Sequence, residues 1–345
     1  MSRFFDAIRR ADESRLRPRH ILRSPPPEDA GREGRPFRVI SVVSNKGGVG
    51  KTTVATNLAV YLRAMREELP ILLLGLDDQP GIDRMFEIEP CAGEPTIAEA
   101  MRTGSLSPAI RLGQYGVHYL PTSTRIGDLK REISDPGHLD GVLARTRWQG
   151  IVIVDTKSDL EILTRNAIRA SDLTLVLVRD QLSLGEARKV FDLLAEWKRP
   201  HETARILLSL VDLRILYAEG ENRDVMSLLV SEIRSLGYPL FETFLSSSPK
   251  VESLHTNPAR VVQSILHGAP NSIVNRQMRL VAEEVLRSVA PVAALAEATV
   301  PAAPAAAAAA VPVAVPPEEP TARPIARAQD VDVEAWLGRA HEKHV

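Results

Sequence analysis

The sequence predicts a doubly wound α/β fold, a mostly parallel sheet with helices on both faces, carried by residues 37–290 and flanked by disordered N- and C-terminal arms. Three observations predict it. Short runs rich in Val, Ile and Leu alternate with longer amphipathic stretches, the pattern of successive β-α-β units. Several of those runs are apolar without alternation, as strands covered on both faces must be. The first run enters a glycine-rich turn that opens directly into a helical pattern.

The elements follow in order. Residues 1–36 hold several arginines, Pro25-Pro26-Pro27 and a polar stretch over 28–35, which reads as a short amphipathic helix and a flexible lead-in. Strands are expected over 37–43, 71–76, 117–121, 150–155, 173–178 and 205–211, with helices between most of them. The first of these helices runs from Thr52 to about Met65, and Thr96 with Glu99 forms a capping box that opens another at Ile97. From 291 to 329 the chain is dominated by alanine and proline. Repeated prolines deny a continuous helix there, and small side chains bury too little area to offset the entropy of ordering, so this is a linker. Residues 330–345 return to a helical pattern, with Val333, Trp336, Leu337 and Ala340 on one face.

Composition removes several function classes. The 345 residues carry 43 Lys+Arg against 44 Asp+Glu, a net charge of -1, which excludes a uniformly basic nucleic-acid-coating protein and an acidic solvating tail. A single cysteine, Cys91, excludes an intrachain disulfide and a multi-cysteine zinc site and fits a reducing compartment. No run reaches the roughly 18 apolar residues of a membrane span, and the N-terminus has no uninterrupted apolar region of a signal peptide. The expectation is a cytoplasmic protein.

The most informative passage is Val-Ile-Ser-Val-Val-Ser-Asn-Lys-Gly-Gly-Val-Gly-Lys-Thr-Thr, residues 39–53. Gly47, Gly48 and Gly50 open backbone conformations closed to other residues, so that successive N–H groups from Gly47 through Val49 to Thr53 can surround a phosphate. The N-terminus of the following helix adds favourable partial charge. Lys51 reaches the β- and γ-phosphates, and Thr52 offers the hydroxyl that such loops place on Mg2+. The expected cofactors are ATP and Mg2+.

The pattern K-G-G-x-G-K-T-T, with its early Lys46, resembles the deviant Walker A motif of the ParA/MinD family of ATPases, and further landmarks extend the resemblance over about 37–290. In that family the early lysine crosses a nucleotide-sandwich dimer to the partner's phosphates, which implies an ATP-dependent homodimer with Lys46 acting in trans. Leu72 to Pro80 resembles the second strand and its D-x-D-P-Q ending. Asp77 falls at the carboxylate that orients the attacking water, while Gly75 replaces the first aspartate and Asp78 is a substitute. Ile151 to Thr156 resembles the Walker B strand, with Asp155 holding Mg2+ through a water. The family continues D-T-P-P; this chain has Lys157 and Ser158, a departure in the switch region that bears on hydrolysis. Leu163-Thr164-Arg165-Asn166-Ala167 resembles the family's L-T-x-N-A helix.

The resemblance implies a slow, partner-stimulated ATPase that partitions or positions DNA or another cargo with an activator or cargo adaptor. Arg214, Arg223 and Lys250 fall where the ParA branch places DNA-facing basic elements, and such residues supply sequence-independent phosphate contacts. The N-terminal helix, with Phe4, Ile8 and Ala11 on one face, suits a partner groove better than a membrane, because Asp6, Asp12 and Glu13 dilute its basic character. The resemblance leaves two surfaces open, nonspecific DNA of the nucleoid and, as the weaker choice, the membrane. A second reading starts from the opening MSRFFDAIRRADESR, which resembles cytoplasmic bacterial tyrosine autokinases of polysaccharide export. Those carry a C-terminal tyrosine cluster and this chain has no tyrosine after Tyr238. What remains of it is an ATP-binding regulator of envelope or polysaccharide assembly with little or no hydrolysis.

Overall fold

A computed structural model describes residues 35–87, 95–212, 225–256 and 262–289. All of them fall within one compact unit. Cys91, Arg214, Arg223, the amphipathic helix before residue 35, the 291–329 linker and the 330–345 helix lie outside the described residues.

Among the described residues seven strands form one sheet: β1 (Phe37–Val43), β2 (Ile71–Gly75), β3 (Arg111–Leu112), β4 (His118–Tyr119), β5 (Gly150–Asp155), β6 (Leu173–Val178) and β7 (Ala204–Leu208). Their order is β3-β4-β2-β5-β1-β6-β7, and every pairing is parallel except β3 with β4. Three of the expected strands, 37–43, 150–155 and 173–178, have the bounds the sequence predicts. The expected strand over 117–121 shortens to two residues, because its pairing at the sheet edge covers only Leu72↔His118 and Leu73↔Tyr119 on one side and the β3 hairpin on the other. The expected strand over 205–211 ends at Leu208, since Leu210 adopts a left-handed φ of 52° that breaks the extended run.

The strands of the middle of the sheet are buried throughout because both faces are packed. On one face Ile40, Ile151, Ile153 and Leu175 meet α1 (Lys51–Met65) and the long C-terminal helix Ile273–Val289. On the other face Val39, Val152 and Val154 meet helices Ile97–Thr103, Ile126–Glu132, His138–Arg145 and Ile162–Ala170. Farther along that face Val176, Val178 and Leu208 pack on helices Gln181–Glu196 and Val225–Ser235. This is the doubly wound arrangement the pattern predicts. The capping box at Thr96 and Glu99 is present, with the Thr96 N–H donating to Glu99 at 3.0 Å.

From β1 the chain crosses to β2 on one side of the sheet, and from β5 it crosses to β6 on the other. The carboxyl ends of β1 and β5 thus flank the point where the winding reverses, where open α/β sheets form their ligand crevice.

Candidate phosphate-binding site

The loop 44–50 leaves the end of β1 at that crevice and runs into α1 without a side-chain cap. Two positions need glycine, since Gly48 and Gly50 hold φ of 71° and 88°. The loop is braced from beneath. Ser209 Oγ, just past β7, donates to the Val49 carbonyl at 2.6 Å, and the Leu210 side chain lies 3.5 Å from where a Cβ on Gly50 would stand. Val49 is fully buried, whereas Gly47 and Gly48 are exposed, so the loop presents its backbone outward.

Lys51 opens α1 and is only 7% exposed. Its Nζ donates to Ser158 Oγ at 2.5 Å and lies 3.5 Å from the Lys46 carbonyl. Burial pulls its pKa down, opposed by the carboxylates of Asp155, Asp77 and Asp159 around it. Asp155, the last residue of β5, is 2% exposed, and its Oδ1 has no hydrogen-bond partner. Burial pushes its carboxyl up to about 7, against the Thr52 hydroxyl bonded to it and the Lys51 charge. Asp77 follows β2 and is half-buried; its Oδ1 accepts the Asp78 N–H at 2.7 Å. Burial, with Asp78 adding to it, raises the Asp77 carboxyl above the usual range. It caps no helix, as the next one begins only at Asp83.

The structure therefore brings together Lys46, the loop from Gly47 to Thr53, Asp77 and Asp155 at one end of the sheet. Lys250 is exposed in the first turn of helix Pro249–Thr256. That helix borders the loop, since Val251 and Glu252 line a cavity of about 30 Å³ shared with Val49, Gly50 and Thr53.

A buried carboxylate oxygen without a partner, beside a hydroxyl and an ammonium, is incomplete chemistry. Two oxygen donors fit Mg2+, which takes one or two protein ligands and fills the rest of its shell from water and phosphate. No cluster of three or more His, Cys, Asp or Glu suited to a metal occurs among the described residues.

Sequence reasoning missed three partners. Lys46 Nζ pairs with Asp180 Oδ2 at 2.6 Å, Lys51 with Ser158, and Lys157 Nζ with Asp78 Oδ2 at 3.0 Å. For Asp180 a signal existed: Asp180 and Ser183 form a capping box at the start of helix Gln181–Glu196. Burial would raise the Asp180 carboxyl, but the bonds from Lys46 and Ser183 outweigh it and hold it low. No described helix is long and apolar enough to cross a membrane.

Comparison with known proteins agrees with this geometry. Residues 37–199 match the family described as AAA domain. The chromosome partitioning protein ParA of Caulobacter vibrioides is 27% identical over 150 residues, which cover 41% of this chain and 55% of that protein. The chain thus spans about half the length of the first curated relatives it matches. Among solved structures, the septum site-determining protein MinD of Pyrococcus horikoshii, complexed with Mg-ADP, superposes with a TM-score of 0.56 at 20% identity, covering 76% of this chain and 100% of that one. A putative plasmid partition protein of Borrelia burgdorferi bound to AMPPNP gives 0.55 at 16%, over 73% and 99%. The loop, the sheet order and these relatives agree on the fold, which is that of the ParA/MinD-type P-loop proteins.

Proposed function

We propose that the chain is an ATP-dependent dimer switch that partitions or positions DNA or another cargo, hydrolysing ATP slowly and under a partner's stimulation. The observation that carries the reading is Asp155, a buried carboxylate with an unpartnered oxygen beside Thr52 and Lys51, at the mouth of the glycine loop. Thr52 and, through a water, Asp155 would hold Mg2+, which neutralises charge on the phosphates. Lys51 binds the β- and γ-phosphates, and the N–H groups from Gly47 to Thr53 cradle them. Asp77, its basicity raised by burial, orients the attacking water.

In the chain alone, Lys46 is held by Asp180 in the same protomer. The pair is about one-third exposed and holds the lysine only weakly, so a γ-phosphate offered by a second protomer can draw it away. Lys46→Ala is expected to abolish ATP-dependent dimerisation, followed by multi-angle light scattering, while the monomer still binds nucleotide. An unchanged ATP-driven dimer would refute the role in trans.

The nucleoid is the surface this reading favours, with Arg214, Arg223 and Lys250 supplying phosphate contacts. Binding to a random duplex in the presence of ATP should weaken steeply as salt rises, and Lys250→Ala should lower both affinity and the salt slope in a gel-shift series. Liposome binding without DNA binding would move the surface to the membrane. The second reading, an ATP-binding regulator with little turnover, is favoured by one observation: Ser158 stands in the switch segment and already engages Lys51. Absence of turnover with DNA or a cargo adaptor present would select it.

A further inference from the structure

The segment after β5 carries Lys157 and Ser158, and both side chains are engaged. Ser158 Oγ accepts from Lys51, while Lys157 Nζ reaches across to Asp78 Oδ2 at 3.0 Å. The platform under Lys157 is fixed on either side. Thr156 Oγ1 donates to the Val42 carbonyl at 2.8 Å, and Asp159 receives Lys130 at 2.9 Å and Thr164 Oγ1 at 3.0 Å. From its own loop the Asp78 side chain is hydrogen-bonded to that of Asp77. Its own N–H is spent on Asp77 Oδ1, so whatever fixes Asp78 also fixes the carboxylate beside it.

We propose that Lys157 is a positioning residue, which ties the Asp77-Asp78 turn to the braced segment after β5 and so sets where the Asp77 carboxylate points. The inference rests on the hydrolytic role given to Asp77 above. The magnitude of the pair favours position over stability. Its side chains are 40% and 47% exposed, and a pair that wet adds little to folding. A change of aim at a group acting on the reacting water affects rate far more than it affects binding.

The test compares wild type, Lys157→Ala and the charge-swapped pair Lys157→Asp with Asp78→Lys. Affinity is read with N-methylanthraniloyl-ATP, turnover by phosphate release, and order by hydrogen exchange of the amides over 76–82 without nucleotide. Lys157→Ala is expected to lower kcat about tenfold with affinity within about twofold, and to speed exchange at the Asp78 amide several-fold. The swapped pair should recover most of both losses. Unchanged exchange in Lys157→Ala, or a loss that the swap does not restore, overturns the proposal. If wild type shows no turnover while exchange follows the pair as described, the hydrolytic reading fails and the tie between the two loops stands.

Discussion

Replacing Lys51 with alanine is expected to weaken nucleotide binding by about two orders of magnitude, equal to about 3 kcal/mol, the upper range for a hydrogen bond to a charged group. The size follows from where the ammonium sits. It is 7% exposed, so it has already lost most of its water, and its contact with the phosphates is not diluted by solvent. Ser158 Oγ holds it toward the loop in advance, which removes part of the ordering cost. Lys51→Arg keeps the charge but cannot place a planar fork where a compact ammonium fits, so it should recover little. Isothermal titration with an ATP analogue and Mg2+ reads the difference. Affinity of the alanine variant within threefold of wild type would remove Lys51 from the phosphate site.

The second large effect concerns Asp155 and is read without any ligand. Its carboxyl titrates at about 7 when folded, against an ordinary 3.8. Between those values the folded chain retains a proton that the unfolded chain has released. Stability therefore falls as pH rises through this window, and the loss is complete above about 7. Burial drives the upward shift, the Asp77 charge adds to it, and the Thr52 hydroxyl, the Lys51 ammonium and the Thr156 N–H oppose it. Asp155→Asn keeps the shape and removes the charge. In urea titrations without Mg2+, the fall in stability from pH 5 to 8 should be smaller in the variant, and at pH 8 it should be the more stable protein. Adding Mg2+ with ATP should reverse that order, because only the wild type gains the ligand. Parallel pH curves for the two chains would show that the carboxyl is not held at that value.

What could be read from the sequence was what the chemistry requires to be contiguous. The loop from Lys46 to Thr53 and the apolar strand ending in Asp155 are each a few residues long, and their order alone states strand, turn, helix and carboxylate. The contacts that shape the site join residues far apart: Lys46 with Asp180 across 134 positions, Lys51 with Ser158 across 107, Val49 with Ser209 across 160. No local pattern encodes such pairs. The edge strand Arg111–Leu112 escaped for a different reason, since two residues are too short to show a period, while its partner His118–Tyr119 lies within the expected strand 117–121. The early end of β7 turned on the backbone of one residue, Leu210, whose left-handed conformation is unusual for leucine and unmarked by any glycine or asparagine.

That same residue and its neighbour have a thermodynamic meaning. The loop leaving β1 passes β6 to rest on the far end of β7, where Ser209 grips its carbonyl and Leu210 fills the space under Gly50. Its curvature is thus settled when the chain folds, and the entropy of shaping it is lost then and not at the encounter with ligand. On the proposed reading an incoming phosphate would meet donors already aimed, and its binding would be governed by charge and desolvation with little conformational search.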